Sequence, residues 1–183
     1  IDANGRLTTP STELWTDIAN DLIHTYVLPP LVQAGKLLGV PEYIEAADTV
    51  LTYYKRQEAL VPFNRLAHFH AYAMEALWEL GEIELATRGM ADVARCQQPD
   101  GGIPAYPDVE WTCSTAIAQY AIVWYRLGDK DRADRAIRAD KPREALGYLW
   151  QLVDRSHVVD EELRGYLTMM AKAYEALRYN RAA

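Results

Sequence analysis

Three side chains able to hold an acid and move a proton stand at helical spacing in the segment Asn64-Arg65-Leu66-Ala67-His68-Phe69-His70-Ala71-Tyr72. Asn64, His68 and Tyr72 fall at i, i+4 and i+8, which puts them on one face if the segment is a helix. An amide, an imidazole and a phenol on one face suit chemistry on a uronic acid. The amide polarises the carboxylate while the imidazole and phenol exchange a proton, as a polysaccharide lyase or epimerase requires. Histidine and tyrosine on a buried helix also serve to satisfy buried polar groups, and both roles stay open. A second pair, Asp108 and Glu110, has the residue types of the two carboxylates of a glycoside hydrolase. The same acids suit the first turn of a helix, where negative charge is stabilised, and the sequence favours that role. Trp111 offers a flat apolar face to a sugar or an isoprenoid, or a ring to the core. Two cysteines, Cys96 and Cys113, are too few for a disulfide framework, although they could pair across the turn between them. Cys113 reads as a small residue at a tight helix contact. His24 and His70 lack metal-ligand spacing, and the chain shows no cofactor or metal motif.

The elements that position these residues converge on the stretch from Cys96 to Gly128. Gln97, Asp100, Gly101 and Gly102 predict a turn, in which Asp100 closes its own backbone and Gly102 is the candidate for a positive φ. Pro104 and Pro107 keep helix out of the following loop. From Trp111 to Tyr125 there are 15 residues without a charge. A helix polar only at its ends is expected to be buried on most sides.

Every predicted segment is helical. Ile1 to Pro10 reads as an irregular lead-in, followed by a helix from Ser11 or Thr12 to about Val27 that Pro29 and Pro30 must kink or stop. Helix resumes to Leu38, and others are predicted over 41–57, 62–80, 83–97 and 110–127. Leu38-Gly39, Leu80-Gly81 and Leu127-Gly128 each close an apolar helix and open a more charged one, with separations of 42 and 47 residues. That period is the size of one helical hairpin. Apolar helices alternating with amphipathic ones predict an inner layer wrapped by an outer one, an all-α chain of α/α-toroid or solenoid type. The whole chain, 1–183, reads as one such domain, with a break near 139–142 where Lys141-Pro142 ends a helix. A last pair of helices is expected beyond it.

Bulk properties remove some functions. The net charge of −7 argues against a general affinity for nucleic acid or anionic membrane. The uncharged run falls short of the ~20 residues that span a bilayer. No segment at the start resembles a signal peptide, so a soluble cytoplasmic protein with reduced thiols is expected. Tyrosine (12) and tryptophan (5) far outnumber phenylalanine (2), which suits both helix packing with a polar tip and sugar-stacking surfaces.

At Gln97-x-x-Asp100-Gly101-Gly102, followed by Cys113, the chain resembles the terpenoid cyclase and protein prenyltransferase α/α-toroid superfamily. The string DGGIPAYPDVEWTCSTAIAQYAIVWYRLG, with HFHAYAMEALWELG upstream, looks closer to a poorly characterised bacterial toroid family associated with cell-surface polysaccharide biosynthesis. The resemblance covers about residues 12 to 138 and implies a fold more strongly than a reaction. The zinc-binding Asp-x-Cys of the prenyltransferases is not reproduced, because Trp111 stands two residues before Cys113. The acid motifs of terpene cyclases are also missing, and the roughly four hairpins counted fall short of a closed toroid. In such toroids the ligand sits at the mouth formed by inner-helix N-termini. That implies catalytic roles for His68, Tyr72, Asp108 and Glu110, and substrate-binding roles for Asn64, Arg65, Tyr106 and Trp111. The implied ligand is a saccharide or its precursor. An isoprenoid-type ligand is one alternative. Another is a non-catalytic scaffold that docks a partner protein or a second copy.

Overall fold

The computed structural model describes residues 1–7 and 21–139, all within the unit Ile1–Asp140. The predicted helices after Asp140, and the one opening at Ser11 or Thr12 as far as Asn20, lie outside the described residues. Among the described residues the structure is all-helical, with an isolated bridge between Pro104 and Thr112 as its one extended pairing. A 3-10 helix over Leu22–Val27 runs directly into α1 (Leu28–Leu38). Pro29 and Pro30 open α1 rather than ending a helix, since the first turn has no use for their missing N–H groups. Then follow α2 (Pro41–Lys55), α3 (Ala67–Glu79), α4 (Ile83–Cys96), α5 (Ser114–Leu127) and α6 (Lys130–Ala139). No described helix is long and apolar enough to cross a membrane.

The helices form three hairpins among the described residues. The 3-10 helix, α3 and α5 pack side by side as one layer, and α2, α4 and α6 pair with α1, α3 and α5 respectively in a second. α3 and α5 run in the same direction, because Glu75 meets Gln119 and Glu79 meets Arg126. The three glycine stops hold: Gly39, Gly81 and Gly128 all have positive φ, where a side chain would be strained. Between the layers lie Tyr54, Leu60, Met74, Leu77, Met90, Ile117 and Tyr120, each 2% exposed or less. At ~25 cal/mol per Å² of apolar surface, burial of such side chains is the main force joining the layers.

Two expectations about this frame need correction. The uncharged run 111–125 does not form one buried helix, because Trp111, Thr112 and Cys113 precede α5 and one flank of α5 is open to water. Ser114, Thr115, Ala118, Ile122 and Tyr125 fall along one flank of α5 and are exposed, Ile122 by 44%. α5 rests on α3 at one side and α6 at another, and the remaining flank is hydroxyls, a methyl and isolated apolar side chains that water tolerates. The positive φ of the Asp-Gly-Gly turn belongs to Gly101 (+99°), not to Gly102. A Cβ at Gly101 would lie 2.3 Å from the carbonyl oxygen of Arg135 in α6, so the turn is pressed against that helix.

Candidate functional site

α3 carries one half of the expected site. Its first residue is Ala67, whose N–H donates to the carbonyl of Ala105 at 2.7 Å. A carbonyl from the 103–112 loop thus satisfies a helix-start donor that has no partner within the helix. The helix begins five residues later than the sequence predicts, and Asn64 and Arg65 precede it. Asn64 is exposed but does not share the α3 face with His68 and Tyr72. Arg65 is 2% exposed, with its guanidinium donating to the carbonyls of Ala59 (2.6 Å) and Leu60 (2.9 Å) and to Asn64 Oδ1 (3.0 Å). Its donors brace the loop that leads into α3.

His68, Tyr72, Glu75 and Glu79 stand at i, i+4, i+7 and i+11, a single stripe on α3. The rings of His68 and Tyr72 meet edge to face with centroids 4.5 Å apart, and Tyr26 of the 3-10 helix continues the row at 5.1 Å from Tyr72. Partial burial lowers the His68 pKa, so the imidazole is neutral at pH 7 and free to accept a proton. Its Nδ1 is shielded from water and has no hydrogen-bond partner among the described residues. Further along the stripe, Glu75 accepts from Gln119 at 3.0 Å and pairs with Arg126 at 3.1 Å. Arg126 also pairs with Glu79 at 3.0 Å and lies 4.9 Å over the Trp78 ring.

The loop from Ile103 to Cys113 supplies the other half. Its backbone folds back on itself through the Ala105 N–H to the Trp111 carbonyl at 2.9 Å, and Gln98 Nε2 donates to the Glu110 carbonyl at 3.0 Å. Tyr106 and Trp111 stand edge to face with centroids 6.1 Å apart, and both are exposed, Trp111 by 57%. Asp108 and Glu110 are exposed on the same loop. They do not begin a helix, because α5 starts only at Ser114 and has no acid in its first turn. The helix-start role the sequence favoured for them is therefore corrected. Among the described residues, no hydrogen bond or ion pair links either acid to His68 or Tyr72. The Ala67–Ala105 bond does place loop and stripe at one end of the layer. Cys113 keeps a free thiol, 3.3 Å from the Thr115 hydroxyl, and Cys96 is free as well.

Several participants were not singled out from sequence. Tyr26 joins the ring row from a distant segment, and no local pattern signals that. Glu75 and Glu79 were legible as an i, i+4 acid pair on an otherwise apolar helix, and Arg126 as the charge that ends the uncharged run. His70, set aside for want of metal-ligand spacing, is fully buried. Its Nδ1 accepts from the Tyr120 hydroxyl and its Nε2 donates to the Val61 carbonyl, both at 2.9 Å. The carbonyl can only accept, which fixes the tautomer. No protein-family model, curated protein or solved structure matches the chain.

Proposed function

We propose that this chain is a carbohydrate-handling protein of α/α-toroid type, which binds or acts on a cell-surface polysaccharide or its precursor. One observation carries the proposal: partly exposed rings cluster at one end of the first layer. Tyr26, Tyr72 and His68 form a row with gaps of 5.1 and 4.5 Å, and Tyr106 and Trp111 stand on the adjoining loop. Rings that keep a face toward water suit the apolar C–H faces of sugars, and their hydroxyls suit the sugar rim. The three hairpins in two layers, with parallel α3 and α5, agree with the layered arrangement of a toroid. A neutral His68 beside the Tyr72 phenol provides a base and an acid for proton exchange on a uronic acid. Asp108 and Glu110 provide water-facing acceptors for hydroxyl groups.

The test is titration calorimetry of the full chain with neutral and uronic-acid oligosaccharides, together with Trp111→Ala and Tyr72→Ala. Binding that weakens roughly tenfold on loss of either ring, the value of about 1.4 kcal/mol, is the expected result. If neither kind of oligosaccharide produces heat, or if both variants bind as the parent does, the proposal fails. His68→Gln then separates turnover from binding, because it keeps a planar polar side chain in the row but no base, so proton exchange should be abolished with a smaller loss of affinity than Tyr72→Ala gives.

A further inference from the structure

The second layer holds a groove lined by none of the residues of the ring row. A hollow of about 520 Å³ lies between the end of α2, the loop after it and α4, and is lined by Arg56, Arg88 and Arg95 with Glu58 and Asp92. On the other flank of α4 a hollow of about 370 Å³ reaches α5 and the start of α6, where Arg132 joins Arg95. Ala91 and Arg95 line both hollows, so the two meet over α4. The reason lies in α4 itself: Arg88, Ala91 and Arg95 stand at i, i+3 and i+7 on one exposed face. A methyl group at Ala91 leaves the saddle between the two arginines low. The arginines are two turns apart, about 10 Å along the axis.

Cations outnumber acids in each hollow, although the chain as a whole carries −7. Arg95 pairs with Asp92 and Arg132 with Asp129, but Arg56 and Arg88 have no ion pair among the described residues. Along α4 the charges alternate as Arg88, Asp92 and Arg95. Asp92 is already held by Arg95 and by the Phe63 N–H, which leaves Glu58 as the exposed carboxylate that can accept hydroxyl hydrogens beside guanidinium groups that seek an oxyanion. A continuous row of phosphates would meet those carboxylates unfavourably. Sequence-tolerant nucleic-acid binding also needs exposed rings to stack on, and Trp124, the aromatic residue of the groove wall, is 2% exposed. A ligand with acid groups separated by hydroxyls matches the alternation, and arginine's planar fork suits a carboxylate.

We infer that the groove over α4 binds an extended acidic oligosaccharide, with Arg56 and Arg88 holding its carboxylates and Glu58 accepting its hydroxyls. The inference rests on the carbohydrate proposal above for the class of polymer, and assigns the acidic part of that polymer to a site of its own. Calorimetry on the full chain tests it with a uronic-acid hexasaccharide, a neutral glucose hexasaccharide and tripolyphosphate. The acidic hexasaccharide should show a component that weakens as salt is raised. Arg56→Gln/Arg88→Gln should weaken that component by roughly tenfold or more, from lost charge-assisted bonds. Neutral hexasaccharide binding should be unchanged by that variant and reduced by Trp111→Ala. Both arginines are exposed, and a circular dichroism melt matching the parent's shows that the variant folds. If acidic binding survives the double variant, or if tripolyphosphate displaces the acidic sugar from the groove, the inference is overturned while the ring row can still bind sugar. If no oligosaccharide binds, both proposals fall together.

Discussion

Two histidines separated by one phenylalanine meet opposite fates. His68 lies on the stripe of α3 beside Tyr72, whereas His70 turns into the core and is 0% exposed. Burial pushes the His70 pKa down to about 3, with the nearby Arg65 guanidinium adding to the effect. Burial also raises the Tyr120 pKa, so its hydroxyl stays protonated and donates to His70. The consequence for stability has a definite sign. As pH falls below the ordinary imidazole value of 6.5, the unfolded chain takes up a proton that the folded chain resists until about pH 3. The stability that comes from a neutral His70 is present above about pH 6.5 and is lost progressively between there and pH 3. Urea unfolding at pH 7 and pH 4.5 should show a smaller fall for His70→Gln than for the parent, since glutamine takes no proton. Equal falls would mean that His70 is not held neutral in the core.

At the scale of elements, the turn between α4 and the 103–112 loop is the joint on which the hairpins depend. Asp100 Oδ1 accepts the Gly102 N–H at 2.9 Å, closing its own turn as its residue type predicts. Gln97 Nε2 donates to the Gly101 carbonyl at 3.1 Å and reaches the Arg132 carbonyl of α6 at 3.4 Å. Gly101 therefore has two reasons to be glycine, a φ of +99° and a 2.3 Å approach to a backbone atom that cannot swing away. At Gly102 a Cβ would first meet the Gln98 side chain at 2.9 Å, which can move. Gly101→Ala should cost about 2 kcal/mol or more, combining strained φ with displacement of α6. A thermal melt should place it well below Gly102→Ala. The reverse order would show that the turn does not press on α6.

Across the whole molecule, the first layer is joined by burial between helices and by one charged ladder on its open side. Arg126 links α5 to α3 through Glu75 and Glu79, and all three side chains are 30% exposed or less. Water still screens such a pair, so its coupling should be modest. A double-mutant cycle of Arg126→Met and Glu75→Gln, followed by urea unfolding, should give about 0.5–1 kcal/mol of interaction. A value near zero would mean that apolar packing alone aligns α3 with α5. Glu75 stands one turn from Tyr72 on the stripe of α3, so residues that hold the layer together border the ring row.

How much of this was legible follows from the range of the forces involved. The Leu-Gly stops, the Asx turn at Asp100 and the alternation of helix types came from the sequence, because backbone sterics and local hydrogen bonds act over a few residues. The placement of His68 and Tyr72 on one stripe came from it for the same reason. The start of α3 did not, since the carbonyl that fixes it belongs to Ala105, far along the chain. That distant partner removed Asn64 and Arg65 from the helix. Likewise, the fold of the loop left Asp108 and Glu110 outside α5. The ring row from Tyr26 to His68 and the meeting of two hollows over Ala91 depend on which helices lie side by side. By itself the sequence determined where helices end and which face of each is apolar. Tertiary packing decided which polar groups are buried, which rings stay open to water, and where exposed positive charge collects, because each depends on which helices lie side by side.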